Sequence, residues 1–179
     1  AGFFRPGADL MIARAAAAHD VPYIMSSASC SSIESAVSEA PKNTWFQVYG
    51  TRDPNITVDL VNRATGLNVR VLVLTIDTPV IGKRERNIRN GFRRPMKMTP
   101  AVIMQGLSRP LWTYRYLRGR GVPLMENWAP YAPPGANAGM VADLYGSQTP
   151  APGQTWDVLR LVRKHWAGPL VVKGILHHE

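Results

Sequence analysis

Short apolar runs alternate with helical segments along this chain, and that alternation constrains the fold more than any other feature of the sequence. Strands are predicted over 22–26, 45–49, 69–76 and 170–174. Helices are predicted to begin at the capping residues Asp9, Ser31, Asp53 and Thr155. Because strands that alternate with helices pair in parallel through right-handed crossovers, we predict an α/β fold built on a parallel sheet.

Two parallel folds suit this pattern, the doubly wound sheet and the (β/α)8 barrel. No predicted strand is followed by a Gly-x-Gly-x-x-Gly or a Walker A sequence, which weakens the nucleotide-binding, doubly wound interpretation. A barrel takes about 250 residues. The 179 residues of this chain accommodate only part of one, some four βα units. The chain starts without a methionine and stops directly after a predicted strand, so we expect one barrel domain truncated at both ends.

Polar residues lie at the carboxyl end of each predicted strand, and this position favours the barrel. They are Ser26, Gln47, Tyr49, Thr75, Asp77 and Lys173. In a parallel barrel the carboxyl ends of the strands converge on one face, where the site is built. Taken singly, a serine or threonine suits a local backbone bond and a lysine suits a solvent-exposed position. Together, hydroxyl, amide and ammonium groups could bind the polar edge of a heterocycle, and the ammonium favours a ring that becomes anionic on reduction.

A basic segment lies between the third and fourth predicted strands. The net charge is +9, and residues 83–120 hold eleven Lys and Arg against one acid, so that segment alone carries +10. Residues 92–150 are expected to form a long basic and aromatic loop inserted after the strand that ends at Thr75–Asp77. Basic and aromatic residues together suit an anionic membrane surface, single-stranded nucleic acid or a solvated loop.

The cysteine content bears on the compartment and on metals. A single cysteine, Cys30, excludes an internal disulfide framework and argues against a structural zinc site, so no metal is predicted. No signal-peptide pattern is present at the start, and no apolar run approaches the ~20 residues of a membrane span. We expect a cytoplasmic protein, peripheral on the inner face of the cell membrane if the basic segment binds lipid.

Four segments resemble the FMN-dependent α-hydroxy acid dehydrogenase/oxidase family, which includes lactate and mandelate dehydrogenases and glycolate oxidase. They are Trp45–Tyr49, Leu74–Arg86, Asn90–Phe92 and Val172–Leu176. The resemblance extends over nearly the whole chain. It implies a (β/α)8 barrel that binds FMN and oxidises an L-2-hydroxy acid, lactate- or mandelate-like, to the 2-keto acid.

The resemblance also implies roles for the strand-end residues. The flavin contacts would be Ser26, Gln47, Thr75 and Lys173, with Lys173 near N1 and the C2 carbonyl. Tyr49 would lie beside the substrate hydroxyl. Asp77 would pair with the catalytic histidine and stabilise its protonated form, and Arg84 would approach the substrate carboxylate. The alternative is that Arg84 is simply one more residue of the basic segment and does not bind the substrate.

The family's catalytic base is a histidine in a Ser-Asn-His-Gly-Gly-Arg-Gln-like motif, which this chain does not contain. None of its four histidines, His19, His165, His177 and His178, matches that motif. We therefore expect an incomplete chain that is inactive by itself. The alternative function is a non-catalytic basic module that binds anionic membrane or nucleic acid.

In mandelate dehydrogenase-like members the loop after the fourth barrel strand holds a membrane-binding segment, and in other members it is a mobile lid. The resemblance thus implies peripheral membrane contact through 92–128, with the lid as the alternative. We further expect a small 2-hydroxy acid as substrate, a homo-oligomer for the full-length protein, and no nucleic acid partner.

Overall fold

The four predicted strands form one parallel sheet. A computed structural model describes residues 1–77, 82–91, 99–118, 121–151, 154–175 and 177. The strands are β1 (Tyr23–Ser26), β2 (Thr44–Tyr49), β3 (Leu72–Thr75) and β4 (Leu170–Lys173), in the spatial order β1-β2-β3-β4. Each strand pairs in parallel with the next one along the chain. In a doubly wound sheet the order in which strands are added reverses at a switch point, whereas in a barrel each strand is added beside the preceding one. The observed strand order therefore confirms the predicted partial barrel.

Eight α-helices and one short 3₁₀ helix occur in the described residues. They are α1 (Ala8–Ala18), α2 (Ile33–Glu39), α3 (Pro54–Gly66), α4 (Glu85–Arg89), α5 (Pro100–Leu107), α6 (Pro110–Arg118), α7 (Ala138–Gln148), α8 (Trp156–His165) and the 3₁₀ turn Ala129–Tyr131. The four predicted helices correspond to α1, α2, α3 and α8. No helix within the described ranges is both long and apolar enough to cross a bilayer.

The loop predicted over 92–150 contains helices in its described residues, since α5, α6 and α7 lie within it. Side-chain caps mark the starts of two of these helices, α5 and α7. Thr99 Oγ1 accepts a hydrogen bond from Val102 N at 3.3 Å, and Asn137 Oδ1 accepts one from Met140 N at 3.0 Å. Pro100 stands at the start of α5, where its fixed φ and missing N–H suit a helix.

Two of the predicted caps are confirmed. Asp53 Oδ1 accepts from Asn55 N at 3.0 Å, with Pro54 as the first residue of α3. Thr155 Oγ1 accepts from Asp157 N at 3.3 Å at the start of α8. In both helices a short polar side chain satisfies a first-turn N–H that has no partner within the helix.

The other two caps differ from the prediction. Ser32, rather than Ser31, caps α2, and its Oγ accepts from Ser35 N at 3.2 Å. Asp9 lies inside α1 instead of capping it, and its buried carboxylate accepts from Cys30 N at 3.1 Å. The same carboxylate pairs with the N-terminal ammonium of Ala1 at 3.2 Å, so Asp9 ties the start of the chain to the loop after β1 instead of capping α1.

The two faces of the sheet differ in what covers them. Residues paired across parallel strands point to the same side, so Met25, Phe46, Leu72 and Leu170 share one face, here called the covered face. The covered-face residues Met25, Phe46, Val48, Leu72 and Leu74 are fully buried. They belong to one core cluster with side chains of the helices, among them Leu60, Val61 and Ala64 of α3 and Val162 of α8.

The opposite side, here called the open face, carries the alternate residues of each strand. The core cluster contains none of these open-face strand residues. Ile24 of β1 is 52% exposed and Val171 of β4 is 43% exposed on this side. Helices cover the outside of a (β/α)8 barrel, and the other sides of its strands form the interior. The open face is therefore the side that corresponds to a barrel interior.

Candidate active site

Five of the predicted site residues lie together at one end of the open face. The strand register places Ser26 beside Gln47, and Tyr49 beside Thr75, which in turn lies beside Lys173. Side chains alternate along a strand, so Gln47 and Tyr49 of β2 point to the same side. All five residues stand at the carboxyl ends of their strands. The structure thus assembles a row of hydroxyl, amide, phenol and ammonium groups along one edge of the sheet.

Gln47 and Thr75 form the buried centre of this row. Both side chains are almost inaccessible, and Gln47 Nε2 donates to Thr75 Oγ1 at 2.8 Å and to the Val48 carbonyl at 3.1 Å. A buried polar group without a partner costs about 1–3 kcal/mol, so the mutual bond explains why two polar side chains are tolerated between strands. Thr75 Oγ1 acts as the acceptor, which leaves its own hydrogen available for donation to a ligand.

Lys173 and Asp77 form an ion pair at the rim of the site, through Nζ and Oδ2. Asp77 follows β3 and Lys173 ends the neighbouring β4, so the sheet brings the two together from 96 positions apart. Both side chains are partly exposed, and solvent screening limits such a pair to less than about 1 kcal/mol of stability. The pairing joins a residue predicted to hold the cofactor to one predicted to orient a histidine.

Gly174 keeps these two residues close, a role that the sequence interpretation missed. Its φ is +110°, and a Cβ at this position would lie 2.5 Å from Asp77 Cβ and 2.8 Å from Asp77 N. Only glycine adopts that φ without strain and leaves that space free. The one available signal was a glycine directly after an apolar strand.

Ser26 has a local partner of the kind that the sequence left open. Its Oγ accepts from Ala28 N at 3.2 Å, and Ser27 N donates to the Gln47 carbonyl at 2.8 Å. The hydroxyl hydrogen of Ser26 is not needed for the bond to Ala28. Ser26 therefore shapes the loop after β1 and still presents a donor at the edge of the sheet.

The same loop is held from a remote segment by Asn127, a residue that the sequence interpretation also missed. Asn127 is fully buried; its Oδ1 accepts from Ile33 N at 2.9 Å and its Nδ2 donates to the Ser31 carbonyl at 3.3 Å. The amide thus binds the backbone at the junction between the loop and α2. No local sequence signal marks such a contact, since the partners are more than 90 positions apart.

Arg84 is not brought to the strand-end row by any contact among the described residues. It is exposed and precedes α4, where its carbonyl accepts from Ile88 N at 3.1 Å. The preceding residues 78–81, part of the motif that suggested its role, lie outside the described residues. Its approach to a substrate carboxylate stays a prediction.

The single thiol does not behave as a nucleophile. Burial, followed by the nearby Asp9 carboxylate, raises the pKa of Cys30 to about 11. The thiolate is the reactive form of cysteine, so this shift disfavours nucleophilic chemistry at Cys30 at neutral pH. No cluster of His, Cys, Asp and Glu able to hold a metal occurs among the described residues.

A cleft also lies at the opposite, amino-terminal edge of the sheet. Its lining includes Lys42, Asn43, Trp45 and Arg70, and it opens widely to solvent. Active sites of parallel barrels lie at the carboxyl ends of the strands, and the row of polar groups is at that end. The chemistry of the strand ends, rather than the presence of a hollow, therefore identifies the candidate site.

Helices α5 and α6 form a second notable surface, here called the α5–α6 hairpin (residues 100–118). Thr113 Oγ1 donates to the Gly106 carbonyl at 2.7 Å and joins the two helices, and Trp112 stacks on Tyr116 with ring centroids 5.0 Å apart. No residue of either helix is buried. Its exposed large apolar side chains are Ile103, Met104, Leu107, Leu111, Trp112, Tyr114 and Leu117. Arg109, Arg115 and Arg118 are exposed beside them.

Comparison with known proteins identifies a consistent set of relatives. The family described as FMN-dependent dehydrogenase matches residues 1–179. (S)-mandelate dehydrogenase of Pseudomonas putida is 34% identical over 178 residues, which cover 99% of this chain and 44% of that protein. An L-lactate dehydrogenase of Pseudomonas syringae pv. syringae (strain B728a) is 32% identical over 98% of this chain and 46% of that protein.

The fold has close counterparts among solved structures. The crystal structure of the monotopic membrane protein (S)-mandelate dehydrogenase superposes with a TM-score of 0.89 at 34% identity, over 98% of this chain and 46% of that one. A mandelate oxidase superposes with a TM-score of 0.65 at 32% identity, over 97% of this chain and 40% of that one. The chain spans less than half the length of these relatives.

Proposed function

The chain belongs to the FMN-dependent dehydrogenase family, and we propose that it contributes four strands to an enzyme that oxidises an L-2-hydroxy acid, lactate- or mandelate-like, to the 2-keto acid. One observation carries the proposal. Ser26, Gln47, Tyr49, Thr75 and Lys173 form a single row at the carboxyl ends of neighbouring strands on the open face. Four of them, Gln47, Tyr49, Thr75 and Lys173, also lie within the segments that resemble the family.

The donor set fits a flavin. A flavin ring presents carbonyl oxygens, ring nitrogens and an N–H along one edge. This row offers two hydroxyls and an ammonium as donors, and Oε1 of Gln47 as an acceptor, since both hydrogens of its Nε2 are used within the protein. The buried bond between Gln47 and Thr75 holds two of those groups in place before any ligand arrives. When bound, FMN supplies the acceptor for the two electrons and the hydrogen that leave the substrate carbon.

The chain's own residues then have separate tasks. We assign Lys173 to the ring edge that gains negative charge, and Tyr49 to a hydrogen bond with the substrate hydroxyl. The Asp77 carboxylate pairs with Lys173, and we assign it to orient the N–H of a catalytic histidine as well. That histidine, the general base, would come from outside this chain. Arg84 is assigned to the substrate carboxylate, which a planar, always-charged guanidinium suits.

The test begins with the reading frame beyond the codon for Glu179. We expect it to continue into a Ser-Asn-His-Gly-Gly-Arg-Gln-like motif, and the complete product to copurify with flavin and to be reduced anaerobically by L-lactate or L-mandelate. Lys173→Met should abolish flavin retention or reduction. Lys164→Met, at the exposed end of α8, should leave both unchanged. A complete product without flavin, or without reduction by either acid, overturns the proposal.

We also propose that the enzyme binds the surface of an anionic bilayer through the α5–α6 hairpin. Exposed apolar residues and three arginines lie together there, an arrangement suited to interfacial insertion with the charges at the headgroups. A similar solved structure is that of a monotopic membrane protein. The location would be the inner face of the cell membrane, with the full-length protein a homo-oligomer.

Cosedimentation with vesicles tests the membrane proposal. The complete protein should bind phosphatidylglycerol-containing vesicles more than neutral ones, and Trp112→Ser should weaken that binding. Trp156→Ser, which removes an equally large exposed ring from α8, is the matched control. A change in turnover without a change in vesicle binding would instead indicate a lid. Vesicle binding by a complete protein that never holds flavin would favour the non-catalytic basic module.

A further inference from the structure

The loop between β2 and α3, residues 50–53, is held by two glutamines from a distant part of the chain. Gln148, the last residue of α7, accepts from Arg52 N through its carbonyl at 3.2 Å and from Asp53 N through Oε1 at 2.9 Å. Gln154, just before α8, donates from Nε2 to the Gly50 carbonyl at 3.2 Å. The two side chains therefore restrain opposite ends of one short loop.

Gln154 occupies the space in which a side chain at position 50 would lie. A Cβ at Gly50 would stand 2.2 Å from Gln154 Oε1, 2.8 Å from Nε2 and 2.9 Å from Cδ. The amide is itself fixed by a second bond from Nε2, to the Ala151 carbonyl at 3.2 Å. Gly50 is buried, so the contact is a packed one rather than a surface encounter.

The position of Gly50 gives this contact its significance, because Gly50 is bonded directly to Tyr49. Tyr49 is the last residue of β2, opposite Thr75, and the sheet ladder holds the strand only to that point. Glycine has the greatest backbone freedom of any residue, so a free Gly50 would loosen the strand end. The Gln154 amide fills the space that a Cβ of Gly50 would occupy, and its Nε2 donates to the Gly50 carbonyl.

We infer that Gln154 is a positioning residue that fixes the direction of the Tyr49 side chain through Gly50. The inference rests on the proposed function, in which the Tyr49 phenol lies beside the substrate hydroxyl, and it deepens that function by naming what orients the phenol. Gln148 restrains the same loop three residues farther on, at the cap of α3. It provides a matched comparison of the same residue type.

The experiment uses the complete, flavin-loaded product and compares Gln154→Ala with Gln148→Ala. Gln154→Ala should slow anaerobic flavin reduction about tenfold with flavin content unchanged, since a displacement of about 1 Å in a reacting group can cost on the order of 10²-fold. Gln148→Ala should lower the melting temperature and leave the reduction rate within about twofold, the ordinary effect of a weakened helix cap. Equal slowing by both variants would overturn the inference.

A double-mutant cycle with Tyr49→Phe separates positioning from general damage. If Gln154 acts through the phenol, Gln154→Ala should have little further effect on the rate once Tyr49→Phe is present. The same fold-loss in both backgrounds overturns the inference and leaves the proposed function intact. Full activity of Tyr49→Phe overturns the role of Tyr49 and the inference together. If Gln154→Ala does not fold, Gln154→Met, which keeps the volume and loses the amide, takes its place in the cycle.

Discussion

The two faces of the same sheet divide the work of the molecule. On the covered face, Phe46 and Leu74 are completely buried against helices. On the open face, one residue along in each strand, Gln47 and Thr75 are buried as a hydrogen-bonded polar pair, and Ile24 is half exposed. Because side chains alternate along a strand, residues next to each other in sequence serve stability and chemistry separately. Substitutions on the two faces should therefore have different consequences.

The largest effect should come from the covered face. Phe46→Ala removes a fully buried ring from the core cluster and should lower the free energy of unfolding by about 3–5 kcal/mol. Urea denaturation followed by circular dichroism measures it. Ile24→Ala, on the exposed part of the open face, is the comparison and should cost far less. Equal losses of unfolding free energy for the two variants would show that the two faces of the sheet are not buried differently.

Gly174→Ala should disturb the rim of the site next. A methyl group would approach Asp77 Cβ to 2.5 Å at a φ of +110°, so we expect a loss of about 1–3 kcal/mol and displacement of the Lys173–Asp77 pair. The matched control is Gly66→Ala at the end of α3, where nothing lies within 4 Å of the added carbon. That change should stabilise the protein by about 0.5–1 kcal/mol. Thermal melts of the two variants should therefore shift in opposite directions.

Thr75→Val should affect ligand binding more than folding. Gln47 Nε2 keeps its bond to the Val48 carbonyl at 3.1 Å, whereas the hydroxyl hydrogen that Thr75 offers to the flavin is lost. A lost hydrogen bond of about 1–3 kcal/mol is equivalent to roughly five- to a hundredfold weaker flavin binding in the complete protein. Thr65→Val, which removes a helix-surface hydroxyl that donates to the Val61 carbonyl at 3.0 Å, should leave flavin affinity unchanged. Flavin titration followed by fluorescence distinguishes them. Similar affinities for the two variants would argue against a flavin contact at the strand end.

The smallest effect concerns the ion pair between Glu34 of α2 and Arg63 of α3, whose N–O distance is 2.9 Å. Although burial opposes it, hydrogen bonds from its own backbone N–H and from Arg63 hold the pKa of Glu34 below its ordinary value. A depressed carboxylate pKa adds stability above the unfolded-state pKa, and this contribution is lost as pH falls through the folded-state pKa. Glu34 is nearly half exposed, so the contribution is below about 1 kcal/mol. Glu34→Gln should therefore slightly reduce the loss of unfolding free energy between pH 5 and pH 3. Unfolding curves at both pH values measure this loss. A loss that the substitution leaves unchanged would contradict the prediction.

Local signals explain which parts of the fold were predictable. Asp53 followed by Pro54 determines the start of α3 through a cap and a fixed φ, both of which involve adjacent residues. Local signals were missed between β3 and β4, where a long loop was predicted over 92–150 although Thr99 and Asn137 cap two helices there. A count of prolines does not distinguish a proline at the first position of a helix from a proline in a loop, so composition alone misleads.

The candidate site was predictable to the extent that strand geometry determines it. Ser26, Gln47, Tyr49, Thr75 and Lys173 were recognisable as strand-end residues, and parallel pairing places them at one edge. Their partners were not recognisable. The ion pair of Lys173 with Asp77 and the contact of Gln154 with Gly50 join residues 96 and 104 positions apart.

The sequence by itself determined the alternation of strands and helices and the polar character of the strand ends, because both depend on backbone periodicity and on neighbours within a few residues. Only the tertiary structure decided which face the helices cover, which glycine lets Asp77 approach β4, and which glutamine packs behind Tyr49. Those outcomes depend on how distant segments fill a shared volume. No local pattern encodes that packing, since the sequence around a glutamine that precedes a helix does not show whether a distant glycine packs against it.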